Sequence, residues 1–122
     1  MGVKDFQDLI VWQKAMDLVV AVYHATSHFP RQEIYGLTAQ IRRSAVSVPC
    51  NVAEGHGRRT TTDFINFLSI ADGSLCEVKT QVLIAERLRY IESQEITSLM
   101  QAADEVHRLL HGLLGSLEAK LA

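Results

Sequence analysis

The residues best suited to chemistry are two pairs of histidines at helical spacing. They are His24 with His28 and His107 with His111, each four residues apart, so each pair would lie on one helix face and offer two ligands to a metal ion. In an antiparallel bundle, however, the two pairs would lie about 13 Å apart along the helix axis, which is too far for a joint site. No helix carries the Glu-x-x-His pattern of carboxylate di-metal bundles, and the nearest spacing, from Asp104 to His107, occurs once. The sequence therefore predicts surface or interface histidines, with neither a metal nor a cofactor.

A second set of reactive side chains lies in the middle of the chain. Ser44, Ser47 and Cys50 would share one helix face, and His56 follows in sequence. Nucleophilic catalysis also needs an oxyanion hole or a nucleophile turn, and no such pattern surrounds these residues. Small residues on one helix face usually allow close packing, so we expect no enzyme. Cys50 and Cys76 lack C-x-x-C spacing and are expected to be reduced, buried thiols.

The remaining chemistry is electrostatic and is concentrated in the segment "RRSAVSVPCNVAEGHGRR". Residues 31–62 contain five arginines and two glutamates, an excess of three positive charges in a chain whose net charge is −2. Two arginine pairs bracket the segment, Arg42 with Arg43 and Arg58 with Arg59. Local clustering of this kind, rather than the overall charge, is what attracts an anionic partner.

The turn "EGHGRRTTTD" is the strongest candidate for anion binding. Thr60 and Asp63 form a capping-box pattern that predicts a helix start at Thr61, where free N–H groups and the helix dipole favour an anion. Arginine adds a planar donor fork that suits phosphate, although no Walker motif is present. The alternative is a helix cap with solvated arginines, and the residues alone leave both open. Aromatic residues are only 7% of the chain, so base stacking is poorly supported and any binding should be sequence-independent.

Four amphipathic helices are predicted from apolar residues that recur at steps of three and four. They cover residues 9–28, 33–54 and 61–90, and a last helix that follows a cap at Ser93. Short connections favour antiparallel neighbours, and hence an all-α, antiparallel up-down-up-down four-helix bundle. With 122 residues, of which 48% are hydrophobic, the whole chain (1–122) is expected to form one domain.

Proline and glycine mark the predicted irregularities. Pro49 removes one hydrogen bond within the second helix, which predicts a kink there, with a true break as the alternative. Gly55 and Gly57 would supply the flexible or left-handed positions that end this helix. Gly73 suggests close packing of the third helix, and Ser93 is the predicted N-cap of the fourth.

The first and last helices carry more apolar surface than a single face needs. In the first helix the main stripe, at positions 9, 12, 16, 19 and 23, is accompanied by a second at 11, 15, 18 and 22. In the last helix the seam at 96, 99, 103, 106, 110, 113 and 117 is flanked by 102, 109 and 114. A small bundle covers one face of each helix, so this surplus predicts a homo-oligomer. The alternative is a wide face that is internal to a monomer.

The start of the chain does not read as a targeting segment. Charged residues interrupt the stretch in which a signal peptide needs a continuous apolar core, and no apolar run approaches the roughly 18 residues of a membrane span. We therefore expect a cytoplasmic protein without a membrane partner.

Several segments resemble one protein family: "FQDLIVWQKAMDL", "FPRQEIYGLTAQIRRSAVSVPCNVAEGHGRR", "FINFLSIADGSLCEVKTQV" and "AERLRY". They are similar to the four-helix bundle proteins encoded within 23S ribosomal RNA intervening sequences, a family that includes the accessory variability determinant of diversity-generating retroelements. The resemblance runs from Phe6 to about Tyr90, and the last helix matches mainly by pattern. It implies an up-down bundle that assembles into a pentameric ring. For the retroelement branch it also implies binding of nucleic acid and of a reverse transcriptase.

The resemblance carries the family's basic positions onto Arg42, Arg43 and Arg58, with Arg59 less regular. The predicted function is a non-enzymatic homo-oligomer, pentameric by this resemblance, that binds RNA or DNA weakly through these arginines. A ring would repeat each modest site, so that one strand meets several copies. The alternative is a structural assembly module whose arginines make subunit contacts.

Overall fold

The computed structural model describes residues 5–122, which contain only helices and their connections. The α-helices are α1 (Ile10–Thr26), α2 (Leu37–His56), α3 (Thr61–Arg87) and α4 (Ser93–Leu121). Short 3-10 helices at Phe6–Asp8 and Arg31–Glu33 precede α1 and α2. The prediction of an all-α chain with four helices is confirmed, with helix ends within a few residues of their predicted places. The domain prediction begins at residue 1, and its first four residues lie outside the described part.

The helices pack around one apolar core. α2 and α3 make the most extensive contact, α1 packs against α2 and α4, and α3 packs against α4. Each helix contributes fully buried side chains, among them Leu18, Ile41, Leu75 and Leu110. The predicted seam of α4 is confirmed, since six of its seven positions are buried and Leu113 is half-buried. Within residues 5–122, no helix is both long and apolar enough to cross a membrane.

In α1 the core is formed by the second apolar stripe and not by the main one. The second stripe is at most 4% exposed: Val11, Ala15, Leu18, Val22. The main stripe only borders the core, because Met16 is 39% and Tyr23 is 44% exposed. The surplus apolar surface is therefore present, but the prediction of which stripe is surplus is wrong. Periodicity alone could not identify the buried stripe, because both stripes repeat at steps of three and four.

α2 continues without interruption through Pro49, which excludes a true break. Gly55, expected to end this helix, lies inside it and is buried. A Cβ at Gly55 would lie 2.7 Å from the Phe67 Cβ and 3.0 Å from the Phe64 Cδ1, so this glycine permits the close approach of α2 and α3. Gly57 follows the helix with φ of −78°, and neither glycine adopts the left-handed conformation expected of it.

The left-handed residue lies instead after α3, where Arg89 has φ of 62°. The N–H of Tyr90 donates to the carbonyl of Ala85, and the N–H of Arg89 donates to that of Glu86. This pair of bonds is the Schellman motif, which satisfies the last carbonyls of a helix and normally uses glycine at the left-handed position. The sequence does not predict this Schellman motif, because arginine occupies the position at which glycine is expected.

Three smaller predictions are wrong. Ser93 is the first residue of α4, and Glu92 takes the N-cap position without a capping side-chain hydrogen bond. Gly73 does not mark close packing, since a Cβ there would meet nothing within 4 Å. Cys50 and Cys76 are exposed rather than buried. Each of these predictions was made from residue type. Whether a residue is capped, packed or buried depends on the surrounding backbone and helices.

Candidate functional site

Arg42 joins α2 to the end of α1. Its Nε donates to the hydroxyl of Thr26 over 2.8 Å, and its Nη2 donates to the carbonyl of Tyr23 over 3.4 Å. The guanidinium also lies over the Tyr23 ring, 4.4 Å from its centroid. A cation here interacts favourably with the partial negative charge at the C-terminal end of α1. Two of the five N–H donors of Arg42 are therefore used within the chain.

Arg58 pairs with a carboxylate one helical turn earlier. Its Nη2 lies 2.8 Å from the Glu54 Oε2, and its guanidinium lies 4.8 Å from the centre of the Phe67 ring. The Arg58 and Glu54 side chains are about half exposed, at 48% and 53%, so solvent screens the pair and it contributes little to stability. A phosphate would have to compete with Glu54 for this guanidinium.

Arg43 and Arg59 are exposed and make no ion pair within residues 5–122. Arg43 lies in the second turn of α2, beside a shallow polar groove between α2 and α3, whereas Arg59 follows the end of α2. About 20 Å of helix separates the two positions. One chain therefore presents two separated basic positions, with Arg42 and Arg58 engaged internally and Arg43 and Arg59 available.

The start of α3 is capped from within the chain. The Thr60 Oγ1 accepts a hydrogen bond from the Asp63 N–H at 3.1 Å, as the capping-box pattern predicts. Asp63 also places a carboxylate in the first turn, where it interacts favourably with the helix dipole. These contacts favour an ordinary cap over a phosphate site built on the backbone amides, and they leave the Arg59 side chain as the available donor.

The reactive residues of α2 contribute to its packing against α3. The Ser47 Oγ lies 2.8 Å from the Ser74 Oγ, and the Asn51 Nδ2 donates to the Ser47 Oγ over 2.9 Å. The His56 ring packs edge-on against Phe64, with ring centroids 5.8 Å apart. These are the contacts expected of small residues at a close helix seam.

Asp72, His107 and His111 lie together between α3 and α4, and we call them the Asp72 cluster. The sequence did not predict this cluster. The His107 Nδ1 is 3.3 Å from the Asp72 Oδ1, and the His111 Nε2 is 3.1 Å from the Asp72 Oδ2. The two imidazole centroids are 4.2 Å apart. The spacing of the histidines is visible in the sequence, but Asp72 lies 35 residues before His107, and no local pattern pairs them.

Two other carboxylates are held by specific partners. The Leu37 N–H and the Tyr90 hydroxyl donate to Glu33, and these bonds hold the pKa of Glu33 below its ordinary value. The hydrogen bond from the Tyr90 hydroxyl to Glu33 also raises the pKa of Tyr90. Asp104 pairs with Lys79 across α3 and α4, and that hydrogen bond lowers the pKa of Asp104. Asp104, whose spacing to His107 comes nearest to the Glu-x-x-His pattern, is therefore engaged by Lys79.

The helices and these surface features define a small four-helix bundle protein. The chain belongs to the 23S rRNA-intervening sequence protein family, whose model matches residues 7–112. The match confirms the resemblance and extends it through most of α4. Among curated proteins, none matches the chain.

A solved structure supports the fold. A crystal structure of a protein of unknown function from the S23 ribosomal protein family of Bacteroides thetaiotaomicron is similar, with a TM-score of 0.80 and 24% sequence identity. The likeness covers 87% of this chain and 96% of that chain. At this level of identity, the comparison shows the fold alone.

Proposed function

We propose that this chain is a non-enzymatic assembly protein, an antiparallel up-down-up-down bundle that forms a homo-oligomer and binds nucleic acid weakly. Contacts between α3 and α4 support the antiparallel arrangement. Going forward along α3 from Asp72 to Lys79, the partners on α4 run backward from His107 to Asp104. The short connection at residues 57–60 supports the same reversal between α2 and α3.

The observation that carries the proposal of assembly is an exposed apolar surface on α1. We call Met16, Val20 and Tyr23 the α1 flank, and they are 39%, 58% and 44% exposed. Val46 of α2 is also exposed, at 38%. It lies one turn after Arg42, whose guanidinium covers the Tyr23 ring, so we add Val46 to this apolar surface. Removing apolar surface from water contributes about 25 cal/mol per Å², so a second copy would gain by covering the flank. These exposures support self-association over a wide face that is internal to a monomer.

A pentameric ring is the assembly that the family resemblance implies, and we propose it here. A ring uses two different surfaces of each subunit, so the α1 flank would meet another part of the neighbouring copy. α3 offers candidate contacts, because Ile70 and Ile84 are 53% and 43% exposed and lie on roughly the same side of the helix, about 21 Å apart. The two sets of exposed apolar residues are different parts of the subunit surface, as a head-to-tail ring requires.

Val20→Glu is expected to convert the oligomer into a monomer. The side chain is exposed enough for the fold to accept a carboxylate, but an uncompensated charge buried in an interface costs about 3–5 kcal/mol. Size-exclusion chromatography with light scattering at micromolar concentration measures the change. Gln101→Glu adds the same charge at an exposed position of α4 and should stay oligomeric. A monomeric wild-type chain, or a Val20→Glu variant of unchanged size, would show that the α1 flank is not an interface.

We propose further that Arg43 and Arg59 make the main phosphate contacts, with Arg42 and Arg58 contributing less because they already have partners. Because the two positions are roughly 20 Å apart, they would contact separate phosphates of one strand. Individual contacts are weak and are screened by salt, and the net charge of −2 adds no general attraction. Repetition around a ring is what would make such binding useful.

Arg43→Ala and Arg59→Ala are each expected to weaken binding to single-stranded nucleic acid at all sequences alike. Each lost phosphate contact should reduce the slope of log affinity against log salt by about 0.7. Fluorescence anisotropy of a labelled oligonucleotide of mixed sequence, measured over a salt series, gives both quantities. Lys120→Ala removes one positive charge from an exposed site at the end of α4 and should have little effect.

The same variants separate this proposal from its alternative. Variants that lose nucleic-acid binding but keep the oligomer support phosphate contacts, whereas variants that fall to monomers show that the arginines join subunits. Binding that is absent at low salt, or that does not change with salt, would contradict the proposal. A reverse transcriptase becomes a further partner if the gene lies in a retroelement, which its genomic neighbours would reveal.

A further inference from the structure

The Asp72 cluster combines metal-binding side chains from two helices. We propose that Asp72, His107 and His111 bind a divalent transition-metal ion of the zinc type. Within residues 5–122 they form the one group of three potential ligands, and their ligand atoms all lie within 4.8 Å of one another. This site uses none of the residues proposed for assembly or for nucleic-acid binding.

Two of the distances within the cluster are close to those between the ligands of one ion. Zinc bonds of about 2.0–2.1 Å in a tetrahedron place neighbouring ligand atoms roughly 3.3 Å apart. The two carboxylate oxygens of Asp72 lie 3.3 Å and 3.1 Å from the facing imidazole nitrogens. His107 and His111 are four residues apart on α4, the spacing at which a helix supplies two zinc ligands. The ligand atoms lie within 4.8 Å of one another, so an ion would draw them together by rotation of these partly exposed side chains.

The donor set indicates which class of ion would bind. Imidazole nitrogen suits zinc, copper and nickel, whereas calcium and magnesium prefer shells made of oxygen. Three protein ligands leave a fourth tetrahedral position for water. The bound ion would tie α3 to α4, because Asp72 belongs to one helix and both histidines to the other.

The ligands are already close together, although a bound ion would replace the imidazole protons that face the carboxylate. Asp72 is 24% exposed and faces both imidazoles, which are 42% and 51% exposed. Ligands held in place before binding lose less conformational freedom when the ion arrives. Within residues 5–122, Asp72 forms no ion pair with a lysine or arginine, and Lys79 pairs with Asp104 instead.

Titration of the full chain with zinc chloride, in competition with a chromophoric chelator, tests the site. One zinc ion per chain is expected, and magnesium chloride should not displace it. Asp72→Asn keeps the shape of the side chain but removes its charge, and it should weaken zinc binding by about tenfold or more. His111→Ala should have an effect at least as large, with circular dichroism to show that each variant is folded.

The other histidine pair provides a matched control. His24 and His28 have the same spacing on α1 but complete no group of three ligands within the described residues, so His24→Ala with His28→Ala should leave zinc affinity unchanged. A hundredfold excess of zinc over its Kd should raise the Tm of the wild-type chain by roughly 5–10 °C, and the Tm of Asp72→Asn by much less. Loss of binding in the α1 double variant, unchanged binding in Asp72→Asn, or no zinc binding at all would overturn the proposal.

Discussion

Gly55→Ala is expected to destabilise the fold by about 1–3 kcal/mol, although alanine normally stabilises a helix. The added Cβ would lie 2.7 Å from the Phe67 Cβ and 3.0 Å from the Phe64 Cδ1. The Phe67 Cβ is fixed to the backbone of α3 and cannot rotate away, so α2 and α3 would have to separate along their close seam. Urea denaturation followed by circular dichroism measures the change in the free energy of unfolding.

Gly73→Ala is the matched control and should change stability in the opposite direction. Gly73 lies in the interior of α3, and a Cβ there meets nothing within 4 Å. Only the backbone effect remains, so the variant should be more stable by about 0.5–1 kcal/mol. If both variants were stabilised, α2 and α3 would not approach each other as closely as the structure shows.

Leu18→Ala is expected to cost about 2–5 kcal/mol of unfolding free energy, and Met16→Ala less than about 1 kcal/mol. Leu18 is 0% exposed and lies in the core, whereas Met16 is 39% exposed on the α1 flank. The comparison decides which stripe of α1 faces the core, because the main stripe of the sequence contains Met16 and the second contains Leu18.

Assembly could obscure this comparison, since the proposed interface includes Met16. Both substitutions are therefore best made in a Val20→Glu background, in which the chain is expected to be monomeric, and measured by denaturant unfolding at several protein concentrations. A larger loss for Met16→Ala than for Leu18→Ala would mean that α1 is rotated about its axis relative to the structure.

Much of the fold follows from local sequence patterns. The four helices, their approximate ends and the seam of α4 are correct because apolar residues at steps of three and four define an amphipathic helix wherever it packs. The capping-box pattern at Thr60 and Asp63 locates the start of α3 because its hydrogen bond joins residues three positions apart. The family is also correct, since the segments that resemble it lie, apart from Phe6, within the matched residues 7–112.

The errors occur where a residue's role depends on a second helix. Gly55 and Gly73 are both glycines in helical patterns, yet only Gly55 faces a neighbouring backbone. Arg89 adopts a left-handed conformation without being glycine, because the bonds that end α3 hold it there. The sequence gives the type of each of these residues, but it does not show which backbone or side chain lies beside it.

The candidate site divides in the same way. The sequence identified the arginines as the main local excess of positive charge, but not that Arg42 is held by Thr26 and Arg58 by Glu54. It showed the spacing of the α4 histidines, but not the carboxylate of Asp72 that faces them. Ion pairs and metal ligands are set by distances of a few ångströms between segments that are far apart in sequence.

By itself, the sequence determined that this chain forms four amphipathic helices of one family, with a basic middle and more apolar surface than one core needs. These properties depend on residue type and on spacing within one helix, so they can be recognised in each helix separately. Only the tertiary structure decided which stripe of α1 is buried, which arginines are available, and that Asp72 meets two histidines. Those outcomes depend on how each helix is rotated and how closely it packs, and such choices are made by contacts between helices.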